Sequence, residues 1–167
     1  MTEEVRVRVG TTEDLDAIMV LAMKVAKENG VFEPNVHKVL GEIWPALHCH
    51  HGIVGVIGEP GSQLEGFALL RIGQQWYNTR DILEERVVYV APKFRSAKGG
   101  RARKLYEFCK QTADGLGLPL LVGVFSSTRT QGKVRLLGRM FGQEAGAFWW
   151  HGPKTGSWHT SEAPPQD

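Results

Sequence analysis

The chain has 167 residues, 42% hydrophobic and 23% charged, with a formal net charge of +2. This is the length of one domain, able to bury a core without disulfide or metal staples. So small a net charge excludes a polycation that binds nucleic acid over its whole surface, although a local basic patch could still steer an anion.

Met1-Thr2-Glu3-Glu4 lacks the basic-then-apolar order of a signal peptide, so none is expected. Val5, Val7 and Val9 alternate with Arg6 and Arg8, which predicts a half-buried strand. Thr11 and Thr12 followed by Glu13 and Asp14 mark a helix start, and Leu15, Ile18, Leu21 and Val25 recur at helical spacing up to Asn29-Gly30. A second helix is expected from Asn35 to Leu47, ended or kinked by Pro45. Ile53 to Ile57 and Leu64 to Ile72 flank Glu59-Pro60-Gly61-Ser62, which predicts a hairpin. Ile82 to Val90 reads as the next strand. A helix of about four turns follows, with Ala102, Leu105, Cys109 and Ala113 on its buried face. Leu118 to Phe125 is almost wholly apolar, as expected of a strand covered on both faces. Thr130 to Phe141 predicts a last helix, and Ala147 to Trp150 a short aromatic strand. The order β-α-α-β-β-β-α-β-α-β is that of an α/β domain with a mixed sheet over residues 1–152, and the polar tail 153–167 is expected to be poorly ordered. No apolar run approaches the ~20 residues of a membrane helix, so no membrane partner is expected. Cys49 and Cys109 make no disulfide framework, and a reducing cytoplasm is the default.

The corner between the third strand of this block and its helix, "VVYVAPKFRSAKGGRAR", carries the chemistry. Lys93, Arg95, Lys98, Arg101, Arg103 and Lys104 lie in one run with no acid among them. Cations at a helix N-terminus oppose its dipole, at a cost of ~0.3–1 kcal/mol each when exposed. An anion between them would turn that cost into attraction, because backbone N–H groups and cations then point at one guest. Gly99 and Gly100 let the backbone come close. A phosphate or pyrophosphate site follows, with a solvated basic helix start as the plain alternative. Neither G-x-x-x-x-G-K-[ST] nor G-x-G-x-x-G is present.

"VAPKFRSAKGGRA" resembles motif A of the GNAT acyl-CoA N-acyltransferases, roughly V-x-P-x-[FY]-R-x-x-G-x-[GA] between a strand and a helix. Val90, Pro92, Phe94, Arg95 and Gly100 match, and Lys98 replaces the first glycine. The element order agrees over about residues 4–151. "GLPLLVGVFSSTRTQGKVRLLGRMFG" further resembles short GNAT-like proteins of tailed phages, with Ser127 in place of the usual Asn and Leu137 in place of the usual Tyr.

The resemblance implies a GNAT-like α/β fold: a mixed, twisted sheet with flanking helices, two of whose parallel strands splay apart. It implies acetyl-CoA as acyl donor, its pantetheine arm paired with the backbone of Val88, Tyr89 and Val90. Its diphosphate would lie on Arg95, Ser96, Ala97, Lys98, Gly99, Gly100 and Arg101, with Ser127 beside the cofactor. The implied reaction is direct transfer to an amine in a ternary complex, in the cytoplasm, or in the host's cytoplasm if the chain is phage-encoded. The acceptor, whether small molecule, protein or nucleobase, is not coded, and oligomeric state, a homodimer included, stays open.

An amine with a pKa of ~10.4 must lose a proton before it attacks. Glu84 is the candidate base, at a strand position where several members carry theirs. Alternation predicts that Glu84, Arg86, Val88 and Val90 share a face and that Glu85 looks away. A carboxylate paired with Arg86 or Arg80 is the alternative. Leu137 leaves no tyrosine acid for the thiolate, which with a thiol pKa of ~8.5 leaves fairly well unaided. Ser126, Ser127 or water could substitute, or the protein could bind acyl-CoA without turnover.

Arg129, Lys133, Arg135 and Arg139 make a second basic face, expected to be solvated. Alternatively it meets the 3′-phosphate of CoA, or nucleic acid, as a DNA-binding module or a DNA-modifying acyltransferase would. His48 to His51, "HCHH", does not converge on one tetrahedral ion from a strand, so no metal is expected. Trp76-Tyr77 are expected to cap the core edge rather than line an acceptor mouth, and Trp149-Trp150 to pack at core and edge.

Overall fold

A computed structural model describes residues 4–96, 100–126 and 129–152. Ala97, Lys98, Gly99 and Ser127, expected at the cofactor, and the tail 153–167 lie outside the described residues. The elements are β1 (Arg8–Val9), α1 (Leu15–Asn29), α2 (Val36–Leu47), β2 (Gly52–Ile57), β3 (Gly66–Gln74), β4 (Asp81–Val90), α3 (Gly100–Leu116), β5 (Leu120–Leu121) and α4 (Thr130–Phe141). They build a five-stranded sheet in the order β1-β2-β3-β4-β5. Neighbours are antiparallel except β4 and β5, which run parallel.

The entry to α1 is fixed by an ion pair. Asp14, fully buried, receives the Arg8 guanidinium on both oxygens at 2.7 and 2.8 Å, and the Thr11 backbone N–H at 2.9 Å. The Arg8 hydrogen bond holds its carboxyl below the usual carboxylate range against the opposing effect of burial. Gly30 ends α1, its N–H returning to the Ala26 carbonyl at 2.8 Å. Asn35 caps α2 by accepting the Lys38 N–H at 3.0 Å. Pro45 sits in the last turn of that helix, which ends at Leu47.

Two apolar layers sandwich the sheet. On one face α1 and α2 bring Ile18, Leu21 and Ile43 onto Val54, Phe67 and Leu69. On the other, α3 brings Leu105, Cys109 and Ala113 onto Ala68, Leu70 and Leu83. Cys109 is a core residue as expected, and burial pushes its thiol up to about 12.

Four local expectations are corrected. The first strand shrinks to Arg8–Val9, although Val5 and Val7 still pack on the α3 layer. The apolar run 118–125 pairs with β4 only at Leu120 and Leu121, and it is not covered on both faces: Leu121 is 44% and Phe125 53% exposed. An apolar run does not reveal whether a neighbour stays paired beside it, and here the pairing with β4 stops after Leu121. No strand forms over 147–150, where Trp149 is 89% exposed and only Trp150 packs, edge-on to Phe32 at 5.8 Å. Trp76, 93% exposed, and Tyr77 cap no core edge and contact each other instead.

Candidate active site

β4 has two unlike edges. Toward β3 it is paired from Asp81 to Val90. Toward β5 it is paired only at Leu83 and Glu84, so beyond Glu84 the strand leaves a cleft. The cleft, ≈ 160 Å³, is lined from β4 by Val88, Tyr89 and Val90 and from the corner by Arg95, Ser96 and Arg101. Six of the expected site residues therefore come together. Gly100 is the first residue of α3 and does not line the cleft.

The cations of the corner are not as bare as their sequence neighbourhood. Arg95 donates from Nε to the Val90 carbonyl at 2.8 Å and from Nη2 to Glu28, at the end of α1, at 2.9 Å. Glu28 also accepts the Tyr89 hydroxyl at 2.9 Å. Burial and then the Glu28 charge push the Tyr89 phenol up to about 12. Arg101 pairs with Glu65 and lies over the Phe94 ring, 5.2 Å from its centroid. Glu28 and Glu65 are distant in sequence from the corner, and no local pattern announces them.

The opposite wall comes from α4. Arg129, Lys133 and Arg139 border the cleft, Lys133 half-buried and the two arginines exposed, while Arg135 is exposed outside its lining, so the face is largely solvated as expected and also edges the cleft. Arg129 enters the helix with φ 52°, a left-handed conformation uncommon for a side chain of its size. Burial depresses the Lys133 ammonium, Arg95 and Arg129 add to the effect, and Glu28 opposes it. Tyr106, from α3, also lines the cleft and makes no hydrogen bond among the described residues; none of its polar atoms is buried without a partner, so its hydroxyl opens to the cleft. Burial pushes this phenol well above its ordinary value, which suits a hydrogen-bond donor better than a proton donor.

The alternation expected along β4 is overturned. Leu69 faces Val87 and Leu70 faces Glu85, so Arg86 is an extra residue, a β-bulge. A bulge shifts the phase by one, and every later side chain changes face. Val87 and Tyr89 lie in the α1/α2 layer, and Arg86 reaches Glu42 of α2; Val88 and Val90 lie in the α3 layer. Glu84 is thus on the side of Arg86, 3.9 Å from it, and does not share a face with Val88 and Val90. Glu85 is the carboxylate on the cleft side. It accepts the Gly123 N–H at 3.2 Å, across the point where β4 and β5 part, and meets the Val88 N–H. Burial pushes its carboxyl up to about 7 against these two bonds.

Several solved structures that superpose on this chain are acetyltransferases. The aminoglycoside N-acetyltransferase AAC(6')-Iy, bound to a CoA bisubstrate analogue, superposes with a TM-score of 0.70 at 14% identity, over 92% of this chain and 100% of that one. Ribosomal-protein-alanine N-acetyltransferase from Brucella melitensis biovar Abortus 2308 gives 0.62 at 14% identity, over 89% and 98%. An integron cassette protein from the mobile metagenome of Cole Harbour Salt Marsh gives 0.66 at 19%, over 92% and 93%. No protein-family model and no curated protein matches the sequence. The chain has the α/β fold of the GNAT acetyltransferases: a mixed sheet with flanking helices.

Proposed function

We propose that the protein transfers the acetyl group of acetyl-CoA to an amine by direct attack in a ternary complex. The observation that carries this reading is the half-paired β4: the Val88–Val90 edge is not joined to β5 and fronts a cation-walled cleft, on a fold that binds CoA in other proteins. The amide-bearing arm of CoA would take the place of the missing strand. Arg129, Lys133 and Arg139 would meet its phosphates, more directly than Arg95 and Arg101, which already hold carboxylates. The convergence of these three cations on one cleft favours a small polyanion over a duplex, which needs an extended basic stripe. Since acetyl-CoA is a cytoplasmic metabolite, the cytoplasm is the compartment this reading assigns.

Glu84 remains the proposed base. It is itself the last residue of β4 paired with β5, so it would meet an acceptor that reaches a thioester held at the apex of the cleft from the face opposite Val88 and Val90. A backbone N–H at the cleft edge would stabilise the developing oxyanion, an effect worth ~2.7–4 kcal/mol in such sites.

Calorimetric titration with acetyl-CoA tests the reading. Micromolar binding is expected, weakened at least about tenfold in an Arg129→Ala, Lys133→Ala double variant. Glu84→Gln should keep that affinity and lose about 100-fold or more in turnover with an accepted amine. No binding by the intact chain would sink the transferase reading; unchanged turnover in Glu84→Gln would sink the base alone.

A further inference from the structure

The α1/α2 face holds a second cluster of charge, where the paired part of β4 ends. Glu42, on α2, is saturated. It accepts Lys38 Nζ at 3.1 Å and Arg71 Nη1 at 3.1 and 3.2 Å on its two oxygens. Burial works against its charge, but Lys38, Arg86 and Arg71 together outweigh burial and hold the carboxyl below its ordinary value.

Arg86 is in a different state. It lies 3.7 Å from Glu42 and 3.9 Å from Glu84, beyond hydrogen-bond range, and it makes no hydrogen bond among the described residues. Its guanidinium keeps a planar fork of N–H donors, shaped for a carboxylate, while 43% of its side chain is open to solvent. Arg86 keeps the side of Glu84 by plain alternation, and the bulge then sets Val87 on that same face. A groove lined by Lys38, Arg71, His50 and His51 opens beside the cluster. The fixed cations Lys38, Arg71 and Arg86 face the carboxylates Glu42 and Glu84, so one positive charge is unmatched. A purely cationic acceptor would meet that excess; one carrying its own anion would cancel it.

We propose that Arg86 binds a carboxylate on the acceptor, and that the acceptor is a compact zwitterion of the α-amino acid class. This rests on the acetyl-transfer reading above. The carboxylate takes the Arg86 fork while the amine, on the neighbouring carbon, meets Glu84. The ammonium gives one proton to Glu84. The neutral amine then attacks the thioester carbon, an N–C bond forms and the C–S bond breaks. The sulfur leaves as thiolate and takes up the second amine proton through solvent.

The test uses the full chain, saturating acetyl-CoA and matched pairs of acceptors: phenylalanine against phenethylamine, and leucine against isopentylamine. Release of CoA thiol is followed. The amino acids are expected to be about 10- to 100-fold better in kcat/KM than their decarboxylated partners. Arg86→Gln should erase that preference, mainly through KM for the amino acid, and Arg86→Lys should restore part of it. Equal turnover of both members of each pair, or a preference untouched in Arg86→Gln, overturns this inference and leaves acetyl transfer standing. No turnover of any acceptor by a chain that binds acetyl-CoA overturns transfer and, with it, this assignment.

Discussion

The two edges of β4 show how one strand can serve structure and binding at once. Its β3 edge is paired from Asp81 to Val90 except at the Arg86 bulge, and Leu70, Leu83, Phe67 and Ala68 there are wholly buried. Its β5 edge is bonded only at Leu83 and Glu84, and Leu121 opposite is 44% exposed. Apolar burial at ~25 cal/mol per Å² is concentrated on the first edge. The second edge is free to present backbone groups because the first carries the fold.

The contrast can be broken most severely at Leu70. Leu70→Ala empties a closed site and should cost about 2–5 kcal/mol in chemical denaturation. A cost under about 1 kcal/mol would show that the closed edge is not the fold's anchor.

Glu85, at the junction of the two edges, gives an intermediate and pH-dependent effect. Its folded carboxyl titrates at about 7, against 4.5 for an unperturbed one. Below pH 4.5 both folded and unfolded chains hold the proton, and Glu85 costs nothing. As pH rises from there to about 7 the unfolded chain ionises first, so stability falls and then levels off. Glu85→Gln removes this fall. The variant should match the parent at pH 4.5 and gain on the order of 2 kcal/mol at pH 8, read as a higher Tm. A constant difference across that range would contradict the assignment.

The smallest effect belongs to the open edge. Leu121→Ala should cost under about 1 kcal/mol, because much of that side chain is in water already. A loss as large as that of Leu70→Ala would mean that β5 is as integral as β3.

Apart from the strand expected over 147–150, the order of elements was legible in the sequence, because α1, α3 and the β2–β3 hairpin carry periodicity and turn residues of their own. The strength of β5 was not. Leu118 to Phe125 is as apolar as a central strand, yet its pairing with β4 ends after two residues. The bulge at Arg86 was equally hidden, since an added residue in a strand has no compositional mark, and it reversed the facing of every side chain from Val87 onward. The cleft itself was read from its corner and the backbone of Val88 to Val90. Its far wall carries the basic residues of α4, but helical periodicity does not say that Arg129, Lys133 and Arg139 border the cleft while Arg135 does not. Glu28 could not be foreseen, because its link to Tyr89 and Arg95 joins segments far apart in the chain.

A strand edge with unpaired N–H and C=O groups is also a template on which another protein's sheet can grow. Here α3 and α4 stand on either side of that edge, and Arg129, Lys133 and Arg139 crowd the opening with like charge. Flanking helices and like charge at the opening are devices that discourage a second sheet from pairing with such an edge.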